Sequence, residues 1–187
     1  MNPIFTAALE LQEFCGARAW RFCFIGAIAV QRWGEPRLTQ DADLTLLTGF
    51  GGEEPFVDAL LAGFRARRSD ARDLALHYRV LLMEAGNGVP LDVSLGAMPF
   101  EERAVERASS FEIGEQRSLR TCGAEDLVVL KAFADRAKDW LDIEGVVVRQ
   151  RERLDRMLIW RELRPLLELK QSPETASRLE ALLGRAG

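Results

Sequence analysis

Two aspartates lie two positions apart at the start of an apolar stretch, in the segment LTQDADLTLL at residues 38–47. Successive residues of a strand face opposite sides, so Asp41 and Asp43 would share one face with Thr45. Two carboxylates held this close repel each other unless a cation lies between them. The pattern therefore indicates a divalent metal site, and the alternative is a strand edge whose acids are simply solvated.

A third aspartate, Asp92, lies in the apolar segment VPLDVSL at residues 89–95. Alternation places Asp92 and Ser94 on the face opposite the leucines and valine of this segment. Three carboxylates that converge from neighbouring strands can hold two Mg²⁺ ions about 4 Å apart, one to activate a hydroxyl and one to bind nucleotide phosphates. Whether Asp92 meets the other two depends on strand order, which alternation does not give.

A glycine turn precedes the first pair of aspartates. The segment RFCFI at residues 21–25 predicts a short strand, and Gly26 interrupts it. The segment AIAVQRW at 27–33 then predicts a helix that ends at Gly34. A glycine in front of a helix lets phosphate oxygens approach backbone N–H groups, where the helix dipole favours negative charge.

The rest of the chain alternates helices and strands up to about residue 122 and is helical afterwards. Apolar spacing predicts helices at 4–19, 56–68 and Pro99–Arg107, while residues 111–120 form one more strand or a loop. The Asn87-Gly88 pair predicts a hairpin that joins strands 79–85 and 89–95.

From Ala124 the sequence predicts helix almost to its end, with breaks near Gly145, at Pro165 and at Ser172-Pro173. We therefore predict an α/β (α+β) fold, in which a small mixed sheet flanked by helices occupies residues 1–122. Residues 123–187 form a C-terminal helical region packed on that core.

Composition narrows the class of protein. The chain has 187 residues, of which 48% are apolar, a formal net charge of −4 and a pI near 5.2, so its surface is not basic throughout. Two short basic runs, RARR at 65–68 and RQRER at 149–153, could make local nucleic-acid contacts or be solvated helix faces.

Three cysteines without a C-x-x-C spacing fit reduced thiols in a core better than a disulfide framework. No apolar run reaches the roughly 20 residues of a membrane span and no leader-like pattern precedes the first helix, so we expect a cytoplasmic protein. His77 is the only histidine, and no P-loop, G-x-G-x-x-G, G-x-S-x-G or H-E-x-x-H motif occurs, which disfavours triad hydrolases, zinc peptidases and dinucleotide enzymes.

The segment FIGAIAVQRWGEPRLTQDADLTLL resembles the signature of the nucleotidyltransferase superfamily with a polymerase-beta-like core, a glycine turn followed by D-x-D on the next strand. Within that superfamily, KAFADRAKDWLD at 131–142 resembles the K-x-x-x-x-R-x-K-D-x-x-D motif of the AbiEii toxins of type IV toxin–antitoxin systems. The resemblance implies Mg²⁺-dependent transfer of a nucleoside monophosphate from an NTP to an acceptor such as an RNA or tRNA end. It also implies a cognate antitoxin protein as a partner.

The resemblance also assigns roles to individual residues. Asp41, Asp43 and Asp92 would be metal ligands, and Asp92 would also help to activate the acceptor hydroxyl. Gly26 would be the phosphate turn. Lys131 would contact the triphosphate. Lys138 and Asp139 would be the site residues of the second motif, and Asp139 would orient substrate or assist proton transfer.

One position departs from the family pattern. The second turn residue is Gly or Ser in the family and is Ala27 in this chain, which has no hydroxyl to donate to phosphate. An alternative function is therefore a non-catalytic nucleotide-binding or regulatory module. Two further alternatives are a toxin–antitoxin protein that acts mainly by binding, and an α/β protein with coincidental aspartates.

The charged residues of the second motif can be placed on a single predicted helix. At about 100° per residue they fall within about a third of its circumference. They would then either close the cleft or form a solvent face with pairs such as Lys131–Asp135 and Asp135–Lys138. The residues of this face are Lys131, Asp135, Lys138, Asp139 and Asp142.

Overall fold

The computed structural model describes residues 2–185, together with their side chains except that of Arg185. The described chain divides into two compact units. The first contains residues up to 28 and residues 38–122, and the second contains residues 29–37 and those from 123 onward.

A mixed sheet of seven strands forms the first unit within the described residues, in the order β3-β4-β5-β2-β1-β7-β6. Strand β2 runs parallel to β5 and β1 runs parallel to β7, whereas the other neighbours are antiparallel. The strands are β1 Phe22–Phe24, β2 Ala42–Leu47, β3 Arg65–Ala66, β4 Val80–Glu84, β5 Pro90–Gly96, β6 Ser109–Gly114 and β7 Arg117–Thr121. The α/β fold with a mixed sheet and flanking helices is thus confirmed.

Five helices accompany these strands in chain order: α1 Pro3–Gly16, α2 Gly26–Trp33, α3 Glu54–Gly63, α4 Ala71–Tyr78 and α5 Pro99–Arg107. Helix α1 starts where the Asn2 side chain accepts a hydrogen bond from the Ile4 amide at 3.0 Å. It ends at Gly16 rather than at residue 19, because Ala19 takes a positive φ of 53° and the amide of Trp20 bonds back to Cys15.

Two further predictions for the first unit are wrong in detail. The helix predicted at 56–68 ends at Gly63, because Phe64 is extended and Arg65–Ala66 pair with β4 as strand β3. The segment 111–120 contains two strands rather than one, joined at Glu115 and Gln116, which both have positive φ. The Asn87-Gly88 hairpin is confirmed, since β4 and β5 pair directly in antiparallel register.

The two faces of the central strands differ sharply in character. On one face the side chains of β2, β4 and β5 are fully buried and belong to the core that α1, α3 and α4 cover. These residues include Leu44, Leu46, Leu81, Met83, Leu91 and Val93. The three cysteines are buried and form no disulfide among residues 2–185, as predicted, and burial raises the pKa of Cys15 to about 12.

Helices form the second unit: α6 Ala124–Ala134, α7 Ala137–Gln150, α8 Arg156–Lys170 and α9 Pro173–Arg185, with a 3₁₀ turn at Arg151–Arg153. Of the predicted breaks, the one at Ser172-Pro173 is confirmed. The one near Gly145 is wrong, because α7 continues through this glycine. A Cβ atom at Gly145 would lie only 3.0 Å from the backbone nitrogen of Glu35, so the position favours glycine. The one at Pro165 is also wrong, since α8 continues through it.

A break that the sequence did not reveal separates α6 from α7 at Asp135, whose φ is 58°. Lys131 and Lys138 therefore belong to different helices, and the single charged face drawn on one helix is wrong. None of the helices among residues 2–185 has the length and apolar character needed to cross a membrane.

Candidate active site

Asp43 and Asp92 lie opposite each other in the parallel pairing of β2 with β5. Opposed residues of neighbouring strands project from the same face of a sheet, so both carboxylates leave the face opposite the apolar core. Asp41 precedes β2 by one residue and shares this face. One oxygen from each of the three carboxylates lies within 4.8 Å of the others. The structure thus brings together the three aspartates expected as metal ligands.

The three carboxylates are partly buried and influence one another. Burial raises the pKa of Asp92, the Arg67 guanidinium opposes that shift, and the charge of Asp41 adds to it, so that the pKa lies above its ordinary value. Asp41 accepts a hydrogen bond of 2.7 Å from the hydroxyl of Thr39. The site therefore concentrates negative charge that a cation would stabilise.

Gly26 lies against the second of these aspartates. Its φ is +55°, and a Cβ atom at this position would lie 2.0 Å from Oδ2 of Asp43. Only glycine fits, both because of the left-handed backbone and because of the carboxylate beside it. Ala27 follows in the first turn of α2, and its side chain is buried.

A hard divalent cation fits this donor set. The ligands offered are all carboxylate oxygens, which Mg²⁺ and Mn²⁺ prefer over the softer thiolate or imidazole. Their mutual spacing of at most 4.8 Å lets a single ion contact more than one of them. Asp41, Asp43 and Asp92 would hold the metal.

The residues of the second motif lie in the second unit, and all of them except Lys138 form an ion-pair network there. Nζ of Lys131, whose side chain is 7% exposed, donates to Asp139 at 2.9 Å and to Asp142 at 2.7 Å. Arg136 adds a contact of 2.6 Å to Asp139, and Arg37 binds Asp142 through two hydrogen bonds. Lys131 thus reaches the two buried aspartates of α7 rather than Asp135.

Opposing effects set the charge of these two aspartates. Burial alone raises the pKa of Asp139 and of Asp142, but hydrogen bonds from Arg136, Arg37 and Lys131 outweigh it and lower both pKa values below the ordinary range. Both carboxylates are therefore ionised at neutral pH. The Lys138 side chain is exposed on α7 and is not part of this network.

Asp135, at the break between α6 and α7, accepts hydrogen bonds from two other helices. Its Oδ1 accepts a hydrogen bond of 2.6 Å from the indole of Trp140, and its Oδ2 accepts one of 3.1 Å from the hydroxyl of Thr175. Arg178 of α9 lies over the Trp140 ring at 4.2 Å. One carboxylate therefore ties α7 and α9 to the end of α6.

A residue of the candidate site that the sequence did not reveal is Arg67, which donates a hydrogen bond to the Asp92 carboxylate. Each arginine of the run RARR has an acidic partner, since Arg65 pairs with Glu84 and Arg68 pairs with Asp70. The run therefore is not an open basic patch. The signal was the basic run at 65–68, and the helix predicted across 56–68 concealed its pairing with β4.

No protein-family model matches this sequence, and no similar sequence is found among curated proteins. Solved structures do resemble it. A lincosamide antibiotic adenylyltransferase, LnuA, with lincomycin bound has a TM-score of 0.51 at 10% identity, covering 75% of this chain and 94% of that chain. The antibiotic-resistance factor ANT(2'')-Ia has a TM-score of 0.50 at 17% identity, covering 94% and 95%.

A nucleotidyltransferase-like antigenic protein of Paracoccidioides brasiliensis also aligns, with a TM-score of 0.49 at 15% identity, over 95% of this chain and 91% of that chain. At these identities a likeness speaks for the fold. The chain has the mixed α/β fold of the nucleotidyltransferases.

Proposed function

We propose that this protein is a metal-dependent nucleotidyltransferase, which moves a nucleoside monophosphate from an NTP to an acceptor hydroxyl and releases pyrophosphate. The observation that carries the proposal is the convergence of Asp41, Asp43 and Asp92 on one face of the sheet, within 4.8 Å. An isolated D-x-D would be weak support. Three aspartates from two adjoining strands, in a chain with this fold, are considerably stronger support.

The reaction follows from the donor set. A divalent ion held by the three aspartates would act as a Lewis acid on the phosphate oxygens and lower the pKa of the acceptor hydroxyl. The acceptor oxygen forms a new bond to the α-phosphorus, and the bond from that phosphorus to the bridging oxygen breaks. The electron pair leaves with pyrophosphate. The hydroxyl proton passes to the carboxylate of Asp92 or through it to water.

Other residues take narrower roles in the proposal. Gly26 and the first turn of α2 provide backbone N–H groups for phosphate, and Ala27 contributes no hydroxyl there. Lys138 is exposed on α7, and the AbiEii resemblance is what supports a binding role for it. Lys131 and Asp139 receive a structural role, since a buried ion pair joins them.

Two classes of acceptor are proposed. LnuA, by its name, adenylylates a lincosamide antibiotic, which favours ATP as the donor and a small-molecule hydroxyl as the acceptor. The resemblance of residues 131–142 to AbiEii toxins favours an RNA or tRNA end, with a cognate antitoxin protein as the partner of a toxic enzyme. In both cases the metal site and the bond that breaks are the same.

The test is pyrophosphate release from each of the four NTPs with Mg²⁺, in the presence of bulk tRNA or of lincomycin. We expect release that disappears in the double variant Asp41→Asn/Asp43→Asn and persists in the control Asp73→Asn, which changes an exposed aspartate on α4. NTP binding without release from any donor and acceptor would instead support a binding module whose turn is impaired at Ala27. Release that survives the double variant would refute the proposed site.

A further inference from the structure

Arg67 is the residue next to the candidate site whose role the proposed function leaves open. Its backbone amide donates to the carbonyl of Leu82 at 3.1 Å, which continues the β3–β4 pairing by one residue. Leu82 is opposite Asp92, and Asp92 is opposite Asp43. These four residues therefore form one row across four strands and project from the same face of the sheet. The strand pairing therefore places the guanidinium beside the candidate site.

The guanidinium makes a specific contact with one oxygen. Nη2 of Arg67 donates to Oδ1 of Asp92, and the two side chains are 26% and 29% exposed. Nε of Arg67 is buried and has no hydrogen-bond partner among residues 2–185. The guanidinium thus keeps its contact with Asp92 although one of its own N–H donors is left without a partner.

This contact has two consequences for a bound metal. Because Arg67 engages Oδ1, the orientation of the Asp92 carboxylate is restricted before a metal binds, and Oδ2 would be the oxygen offered to the metal. The positive charge also offsets part of the repulsion among three carboxylates. The guanidinium also opposes the binding of a metal cation, because like charges repel at this distance.

We propose that Arg67 is a positioning residue for Asp92: it restricts the orientation of the carboxylate that would bind the metal, and its positive charge weakens metal binding. The inference rests on the proposed nucleotidyltransferase function. It predicts opposite changes in metal affinity and in turnover, which a merely structural role would not. Loss of the guanidinium tightens metal binding and slows turnover.

The experiment measures Mn²⁺ affinity by electron paramagnetic resonance on the full chain, and kcat and KM for pyrophosphate release. The variants are Arg67→Gln, which removes the charge, and Arg67→Lys, which keeps the charge but loses the planar fork. The matched control is Arg68→Gln, which removes the neighbouring arginine whose partner is the exposed Asp70. Circular dichroism verifies that each variant is folded.

For Arg67→Gln we expect Mn²⁺ to bind roughly three- to tenfold more tightly, because one repelling charge is gone. We expect kcat to fall about tenfold or more with KM for the NTP changed less than about twofold, because Asp92 is no longer aimed. Arg67→Lys should bind Mn²⁺ like the wild type and recover part of kcat. Arg68→Gln should match the wild type in both measurements.

Unchanged or weaker Mn²⁺ binding in a folded Arg67→Gln variant would overturn the inference, as would unchanged kcat. Failure of the proposed function has a different signature. In that case the wild type would bind no Mn²⁺, or binding would survive Asp41→Asn/Asp43→Asn, and the inference would fall with it. If metal binding depends on the aspartates but is the same with and without the Arg67 guanidinium, the inference is overturned and the proposed function stands.

Discussion

Asp43 and Asp92 are directly opposed on the adjoining parallel strands β2 and β5. Such a pair of like charges side by side is unfavourable in a sheet without a compensating group. Asp41 adds a third carboxylate within 4.8 Å. Without a cation the three carboxylates therefore lower the stability of the fold, and a bound cation would offset their repulsion.

The first prediction concerns the stability of the metal-free site. In EDTA we expect Asp41→Asn to raise the free energy of unfolding by about 0.5 kcal/mol, because one of three repelling charges is removed. The increase in stability that Mg²⁺ gives the wild type should disappear in this variant. Urea unfolding with EDTA and with Mg²⁺ measures both effects.

The control for this prediction is Glu112→Gln, which removes one negative charge from the exposed face of β6. It should leave the response to Mg²⁺ unchanged. A lower stability of Asp41→Asn in EDTA would show that the aspartates do not repel one another in the folded protein.

The second prediction concerns the glycine turn. Gly26→Ala places a Cβ atom 2.0 Å from Oδ2 of Asp43 on a backbone with φ +55°. Strain at the backbone and displacement of the carboxylate should together lower the free energy of unfolding by about 2–3 kcal/mol and abolish pyrophosphate release. Thermal unfolding and the pyrophosphate assay measure the two losses.

Gly88→Ala separates these two causes. Gly88 has a φ of +80° and nothing within 4 Å of an added Cβ, so its substitution carries the backbone strain alone. We expect a loss of about 1 kcal/mol with turnover retained. Equal losses at Gly26 and Gly88 would contradict the close approach of Asp43.

The third prediction distinguishes the two lysines of the second motif. Lys131→Met leaves Asp139 and Asp142 buried with one cation fewer, so we expect the free energy of unfolding to fall by about 3 kcal/mol. Lys138→Met changes an exposed side chain and should stay within about 0.5 kcal/mol of the wild type. Denaturant unfolding at pH 7 compares them, and equal losses would refute a structural role for Lys131.

The fourth prediction is the pH dependence of the same network. The pKa values of Asp139 and Asp142 are lower in the folded protein than the ordinary 3.8. Such groups add stability above their ordinary pKa, and that stability is lost as pH falls through the folded value. Wild-type stability should therefore drop below about pH 4. The deficit of Lys131→Met should shrink over the same range, and a deficit that does not change with pH would contradict this account.

The fifth prediction concerns the break between α6 and α7. Asp135→Leu removes both acceptors for Trp140 and Thr175 and places a branched side chain at a φ of 58°. We expect a loss of about 3 kcal/mol and a shift in Trp140 fluorescence. Asp135→Asn keeps one acceptor and tolerates this backbone, so it should lose about 1 kcal/mol. Equal losses would mean that the carboxylate does not link the helices.

Local signals account for the elements that the sequence predicted well. Helix α5 begins at Pro99 and is capped by Glu101, whose side chain accepts hydrogen bonds of 2.8 Å from the amides of Ala97 and Met98. The β4–β5 hairpin follows from Asn87-Gly88. In both cases the residues that determine the structure are neighbours in sequence, so their pattern is visible without the fold.

Non-local contacts explain what the sequence could not give. The pairing of β2 with β5, and hence the meeting of Asp43 and Asp92, depends on strand order across some 50 residues. The break at Asp135 has no glycine or proline to announce it, and tertiary hydrogen bonds hold the residue at a positive φ. The contact of Arg67 with Asp92 likewise depends on the pairing of strands that are distant in sequence.

The opposed faces of β5 also bear on how the sheet reaches its correct pairing. A slip of one residue against β2 would turn Asp92 into the apolar core and Leu91 out to water. Burying that carboxylate without a partner would disfavour the slipped arrangement by several kcal/mol. Asp92 would thus also favour the correct alignment of β5 with β2 as the sheet forms.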